Sequence, residues 1–250
     1  MLTPVEIIAE VAQAHEGSLG LLYSYIDAAV MAGADTVKFQ MHIADAESSS
    51  AEPFRVKGSG QDGSRYDYWK RMEFSFSQWQ DIKNYTERSG VQFLCTPFSC
   101  AAVVMLEELG VERYKIGSAE ALDPLVISCV IKTGKPIILS TGMSNHDDIA
   151  DAVDRISSSG NPLSLMHCTS LYPVPAEAAN LHKIKELSDK YQIPVGYSDH
   201  SGGIFSSLAA VALGAQLIEV HIVFDKQMYG PDTQASITID QLSSLVEGVR

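Results

Sequence analysis

Eight short apolar, β-rich runs alternate along this chain with eight amphipathic helical stretches, and few folds accommodate that alternation. The runs are Val5–Val11, Thr36–Gln40, Val91–Thr96, Arg113–Gly117, Pro136–Thr141, Leu163–Thr169, Pro194–Ser198 and Leu217–Val223. The helical stretches are Leu19–Ala32, Ser77–Ser89, Cys100–Leu109, Pro124–Thr133, His146–Ser158, Leu181–Lys190, Ile204–Leu213 and Asp240–Val249, several of them followed by a glycine such as Gly33, Gly90 or Gly110. Strands that are apolar throughout are covered on both faces, as in a parallel sheet wrapped by helices. Eight such units in 250 residues predict closure into a (β/α)₈, or TIM, barrel in the α/β class, one domain over residues 1–250. An open doubly wound sheet is the alternative, but no Gly-x-Gly-x-x-Gly fingerprint follows the first strand.

In such a barrel the reactive groups gather where the strands end. Here those ends read Val37-Lys38-Phe39-Gln40, Tyr114-Lys115-Ile116-Gly117-Ser118-Ala119-Glu120, Tyr197-Ser198-Asp199-His200 and Glu219-Val220-His221, while the strand starts carry no such signature. An enzyme is expected. His200 and His221 come from neighbouring strands and are placed to share a divalent ion, for which imidazole favours Mn²⁺, Fe²⁺ or Zn²⁺. Asp199 and Glu219 would orient the imidazoles, or Asp199 would only cap the following turn. Lys38 and Lys115 lie among apolar neighbours, where an unpaired ammonium is costly. A phosphate or carboxylate ligand would satisfy them, with Thr96, Ser118, Ser140, Thr141 and Ser198 completing an anion cradle. The alternatives are structural salt bridges to Glu10 or Glu120, or a Schiff-base lysine. Glu120 is placed to act as a general base or acid, or else to partner Lys115. Tyr172, Pro173 and Pro175 read as a rigid turn. The Met41–Phe76 segment is too long for an ordinary connection. Its tract Gly58-Ser59-Gly60-Gln61-Asp62-Gly63, followed by Arg65, Tyr66, Tyr68 and Trp69, is expected to cover a substrate.

A net charge of −13 argues against nucleic acid or an anionic membrane as partner, since both reward clustered cations. No apolar run approaches the ~18 residues of a membrane span, and Glu6 and Glu10 stand where a signal peptide would be basic, so a cytoplasmic location is expected. Cys95, Cys100, Cys129 and Cys168 show no paired spacing, and reduced thiols are expected.

The ordered series Ile8-Ala9-Glu10, His15-Glu16-Gly17-Ser18, Val37-Lys38-Phe39-Gln40, Thr96-Pro97-Phe98-Ser99, Tyr114 to Ser118, Leu139 to Met143, Leu171-Tyr172-Pro173, Ser198 to Ser201, His221 and Gly230-Pro231-Asp232 resembles the bacterial N-acetylneuraminate (sialic acid) synthase family over nearly the whole chain. The resemblance implies condensation of phosphoenolpyruvate with an open-chain N-acetyl-hexosamine aldehyde, such as N-acetylmannosamine, to a nine-carbon 2-keto sugar acid and phosphate. It also implies a TIM barrel, Mn²⁺ or Mg²⁺, and a homodimer. By matching motif, Lys38, Thr96, Lys115, Ser118, Ser140 and Ser198 stand where the family holds phosphoenolpyruvate. His200 and His221 match its metal ligands, and Glu16, Gln40, Tyr172 and Asp232 match positions near the sugar. Glu120 matches the acidic residue assigned the proton of the attacking water.

The chain departs from the family pattern at Ser170, where Asn is frequent, at Ala14, and over Ile222 to Tyr229. These changes bear on the identity of the sugar. The resemblance also implies a small C-terminal antifreeze-like domain that lends an Arg to the partner subunit's sugar site, and residues 1–250 are expected to be the barrel alone. A Schiff-base aldolase or lyase on the same fold, and a non-catalytic sugar-acid binding protein, are the competing functional expectations.

Overall fold

The computed structural model describes residues 4–54 and 60–250. In chain order its elements are β1 (Glu6–Glu10), α1 (Leu19–Ala32), β2 (Thr36–Met41), α2 (Ala44–Glu47), α3 (Arg65–Met72), α4 (Phe76–Arg88), β3 (Gln92–Pro97), α5 (Cys100–Glu108), β4 (Tyr114–Ile116), α6 (Pro124–Ile131), β5 (Ile137–Ser140), α7 (His146–Ser159), β6 (Leu163–Cys168), α8 (His182–Tyr191), β7 (Val195–Asp199), α9 (Phe205–Ala212), β8 (Leu217–Val223), β9 (Ile237–Thr238) and α10 (Ile239–Val249). Strands β1 to β8 pair in sequence order, all parallel, and β1 also pairs with β8. That second pairing closes the ring: Glu10 lies opposite Lys38 on one side and His221 on the other. The molecule is the TIM barrel that the alternation predicts.

Local chemistry sets the breaks. Ser18 caps α1 by accepting from the Leu21 amide, and Gly33 ends it in the left-handed region at φ 88°, a conformation that costs glycine nothing. Capping boxes at Ser75–Gln78, Asn145–Asp148 and Thr238–Gln241 begin α4, α7 and α10.

Side chains alternate along a strand, so each stave feeds two cores. Outward residues such as Ile7, Val37, Tyr114 and Leu139 pack with Tyr25, Ile82, Leu106 and Leu242 of the helices in one continuous apolar shell. Inward residues Ile8, Leu94, Ile138, Met166 and Leu217 fill the barrel. At the strand starts, Arg113 pairs with Glu6 and also donates to Thr36 at 3.0 Å. The lower end therefore carries a structural ion pair of its own, away from the cavity lining.

Two expectations need correction. The Met41–Phe76 segment is not one open loop, because it contains α2 and α3. Helix α3 (RYDYWKRM) is too short and polar to show an apolar stripe, and ion pairs pin it: Arg65 to Glu52 at 2.8 Å, Lys70 to Asp45 at 2.7 Å, and Arg71 to Glu16 at 3.0 Å. Gly58 and Ser59 of the predicted covering tract lie outside the described residues. The second correction concerns the thiols: Cys100 at the start of α5 and Cys129 in α6 form a disulfide, while Cys95 and Cys168 are free and buried. Spacing along the chain says nothing about partners brought together by neighbouring barrel helices. Disulfides are uncommon in the cytosol, so the cysteines no longer support that location. Among the described residues no helix is long and apolar enough to cross a membrane.

Candidate active site

One more alternation step above the inward apolar layer brings charge into the barrel. Glu10, Lys38, Lys115 and Glu219 meet there from β1, β2, β4 and β8, with side chains at most 4% exposed. The Lys38 ammonium lies 2.8 Å from Glu10 and 3.6 Å from Glu219. Lys115 Nζ donates to both oxygens of Glu219, at 2.9 and 2.8 Å. Two positive and two negative charges thus balance in a space that would not tolerate either sign alone. Burial works against the Lys38 charge, but Glu10 and Glu219 outweigh it and hold Lys38 above its ordinary value. For Lys115, burial prevails with help from Lys38 and lowers it despite Glu219. Burial likewise opposes the Glu219 charge, yet Lys115 and Lys38 hold that carboxyl well below the usual carboxylate range.

The hydroxyls predicted to complete an anion cradle surround this quartet. Thr96 Oγ1 accepts from Lys38 at 3.3 Å, and Ser198 Oγ donates to Glu219 at 2.9 Å. Ser118 Oγ sits 3.1 Å from Cys168 Sγ and accepts the Gly142 amide at 3.2 Å. A Cβ on Gly142 would stand 2.6 Å from that sulfur, so only glycine lets the loop after β5 come so near. These three and Ser140 line one cavity of about 940 Å³ with both lysines. Thr141 does not: its hydroxyl turns to the Met166 carbonyl at 3.5 Å.

At the rim above, His200 follows β7 and His221 lies in β8, with ring centroids 5.4 Å apart. His200 Nδ1 faces the Thr169 carbonyl at 3.1 Å. A carbonyl only accepts, so Nδ1 carries the proton and Nε2 presents its lone pair to the cavity. Tyr172 Oη and Ser198 Oγ approach that lone pair at 3.1 and 3.2 Å. Burial, then His221, pushes the His200 imidazole down to about 3, so it is neutral at physiological pH. His221 Nδ1 lies 3.5 Å from Asp232 Oδ2. The expected orienting carboxylates do not act directly on the rings. Asp199 accepts the Ser201 amide at 2.8 Å and the Ser207 hydroxyl at 2.7 Å, the turn-capping alternative, and Glu219 serves the lysines. Among the described residues no group of three or more His, Cys, Asp or Glu gathers as a metal cluster.

Glu120 lines the same cavity, over the space that Gly117 leaves by lacking a side chain. Burial first, then Glu47 and Asp123, pushes its carboxyl up to about 6. It does not partner Lys115, whose carboxylate is Glu219. The four residues expected near a sugar, Glu16, Gln40, Tyr172 and Asp232, all line the cavity's outer part. Gln40 donates to Glu10 at 2.7 Å, which links this outer part to the charged layer. Tyr172 is more than a turn residue, since its ring stacks on His200 at 4.2 Å.

Sequence reasoning missed several lining groups. His42 is stacked between Trp69 at 3.8 Å and Phe98 at 4.1 Å, and its Nδ1 meets Glu47 at 2.9 Å. Arg71, outside the cavity lining, joins Asp62 of the long segment to Glu16 of the first loop, which does line it. Glu219 is read in the sequence as orienting an imidazole, and its role here is to hold Lys115 instead, although its spacing of two from His221 already puts both on one face of β8. For His42 and Arg71 no local pattern exists, because their partners come from three different segments.

Comparison with known proteins agrees with this geometry. Residues 25–250 match the model of the NeuB family. The N,N'-diacetyllegionaminic acid synthase of Campylobacter jejuni is 37% identical over 250 residues, which cover 98% of this chain and 75% of that protein. The human N-acetylneuraminate-9-phosphate synthase is 35% identical, with 99% and 70% covered. Among solved structures, an N-acetylneuraminic acid synthetase from Leptospira borgpetersenii, in complex with citrate, superposes with a TM-score of 0.88 at 33% identity, covering 98% of this chain and 82% of that one.

Proposed function

Because the chain belongs to the NeuB family, we propose that its cavity joins phosphoenolpyruvate to an open-chain N-acyl amino-sugar aldehyde, giving a nine-carbon 2-keto sugar acid and phosphate. The broader assignment is shown: it is a phosphoenolpyruvate-condensing transferase of the nonulosonic acid synthases. The observation that carries the finer reading is the pair of buried lysines that share Glu219 and line one cavity with the histidine pair. Lys115 spends two protons on Glu219 and keeps a third for an anion. With Lys38, Thr96, Ser118, Ser140 and Ser198 it would hold the phosphate and carboxylate of phosphoenolpyruvate.

The donor set at the rim suits a divalent ion. His200 offers a neutral Nε2 lone pair, and the Asp232 carboxylate lies beside His221. Mn²⁺ or Mg²⁺ held by His200 and His221 would supply Lewis-acid polarisation of the aldehyde carbonyl. The chain's own residues do the rest. The cradle fixes C3 of phosphoenolpyruvate against the aldehyde carbon, and a carbon–carbon bond forms there at the expense of the enol double bond and the aldehyde π bond, whose electron pair goes to the aldehyde oxygen; that oxygen becomes a hydroxyl with one proton of the water that adds next. Water adds at C2, and Glu120, ionised above about pH 6, takes that proton and passes it on. The C2–O bond to phosphorus then breaks with its electron pair on the departing phosphate, and the C2 hydroxyl gives its proton to that phosphate as the ketone forms. Lys38 and Lys115 stabilise that charge. Glu16, Gln40, Tyr172 and Asp232 would orient the sugar.

Both curated relatives described above are named for acylated amino-sugar acids, which supports an N-acyl amino sugar over a plain hexose. Phosphate release should be measured with phosphoenolpyruvate, Mn²⁺ and a panel of N-acyl hexosamines. Release with at least one of them is the expected result. If none releases phosphate, and borohydride instead traps pyruvate on a lysine in the presence of EDTA, the aldolase alternative replaces this reading.

A further inference from the structure

Tyr68 lines the cavity from α3, and its hydroxyl oxygen is shut away from solvent with no hydrogen-bond partner among the described residues. A buried phenol that donates to nothing loses its bonds to water without replacement, so the position calls for an occupant with an acceptor oxygen. Its place is well defined. The Arg71 guanidinium lies 5.3 Å from the ring centroid, the Trp69 ring lies 5.0 Å away, and α3 itself is pinned by the ion pairs of Arg65, Lys70 and Arg71. Burial first, and the carboxylates of Glu16 and Asp232, then Asp62, raise the phenol well above its ordinary range, beyond the pull of Arg71. It is protonated at any physiological pH and can donate.

The neighbours limit what it can donate to. Glu16 and Asp232, when ionised, are acceptors alone and suit the sugar's O–H and N–H groups. An open-chain N-acyl amino-sugar aldehyde has two kinds of oxygen that cannot donate: the aldehyde carbonyl, consumed at the reaction centre, and the acyl carbonyl. We propose that Tyr68 donates its hydroxyl proton to an N-acyl carbonyl oxygen of the amino sugar and is a specificity-determining residue for acylated substrates. This inference rests on the function proposed above and adds the group through which acylation is read.

Tyr68→Phe removes the oxygen and keeps the ring. The expected result is a KM for N-acetylmannosamine raised about tenfold, the factor set by one lost hydrogen bond. Calorimetric affinity for phosphoenolpyruvate should stay unchanged, which also shows that the variant folds. Mannose, which lacks the acyl group, should be handled equally by both proteins. A diacetamido-trideoxyhexose tells which acyl group is read: loss on both acylated sugars assigns the one beside the aldehyde, and loss on the diacetamido sugar alone assigns the distal one. An unchanged KM for every acylated sugar overturns the proposal, as does an equal loss on acylated sugars and mannose. If the wild-type protein releases no phosphate with any sugar, the proposed function fails separately. Calorimetry of N-acetylmannosamine against mannose then decides the role of Tyr68: a wild-type preference erased in the variant supports it, and no wild-type preference overturns it.

Discussion

Glu219→Gln tests whether the charged quartet inside the barrel holds together as the geometry says. The substitution keeps the shape and leaves an oxygen for Ser198, but removes the charge that Lys115 meets at 2.8 and 2.9 Å and Lys38 at 3.6 Å. Lys38 retains Glu10 at 2.8 Å. Among the described residues Lys115 has no second carboxylate in an ion pair, and its side chain is 3% exposed. It can remain charged and uncompensated, or shed its proton. Shedding it at pH 7 costs about 4.6 kcal/mol, from an ordinary lysine value of about 10.4 and about 1.36 kcal/mol per pH unit. That cost caps the penalty, and breaking a buried pair from one side usually costs about 3–5 kcal/mol. Urea unfolding followed by circular dichroism in EDTA should show a loss of that size at pH 7. The sign of the pH dependence follows. In the variant the unfolded chain binds the Lys115 proton and the folded one does not, so folding gains stability as pH rises. The deficit against wild type should therefore shrink between pH 7 and 9. Added phosphoenolpyruvate should raise the variant's midpoint, since its anionic groups would restore a partner to Lys115. A loss under about 1 kcal/mol, or a deficit flat across that pH interval, refutes the reasoning.

Three further outcomes are expected. Glu120, raised to about 6, must be ionised to act as base, so turnover should fall as pH drops through that value, and Glu120→Gln should be slow with no such limb. An identical acid limb in the variant assigns the titration elsewhere. His200→Ala or His221→Ala should weaken Mn²⁺ binding measured by calorimetry while the circular dichroism spectrum is kept, since rim residues serve the site more than the core; undiminished affinity in both rejects the metal assignment. Replacing Cys100 and Cys129 by Ser opens a cross-link spanning 29 residues, which should cost roughly 3–4 kcal/mol in the same urea assay, and an unchanged midpoint would contradict that bond's contribution.

Much of this was readable in the chain because barrels convert sequence period into place. Leu217, Glu219 and His221 alternate with Ile218, Val220 and Ile222, and that spacing alone puts an apolar layer, a charge and a metal-type ligand on one inner face at rising height. The same logic placed Lys38 and Ser198. It failed where position depends on partners distant in sequence. Cys100 and Cys129 meet because α5 and α6 are neighbours on the outer wall. Thr141 sits one step beyond β5, where the chain has already turned, so its hydroxyl meets the Met166 carbonyl instead of the cavity. Asp199 precedes His200 in sequence yet serves the turn to Ser207. Helix α3, which brings Tyr68 and Trp69 to the cavity, is fixed by charges on Glu16, Asp45 and Glu52 from two other segments, and no window of local sequence contains that information.

The central claim is that this barrel joins phosphoenolpyruvate to an N-acyl amino sugar with cleavage between carbon and oxygen. Phosphoenolpyruvate carrying heavy oxygen in the bridge between C2 and phosphorus tests it in one reaction. With Mn²⁺ and N-acetylmannosamine or a diacetamido-trideoxyhexose, mass spectrometry should find the label in the released phosphate and a nine-carbon keto acid formed in equal amount with a ketone oxygen from water. Label kept in the keto acid, or keto acid formed without phosphate release from phosphoenolpyruvate, would contradict it.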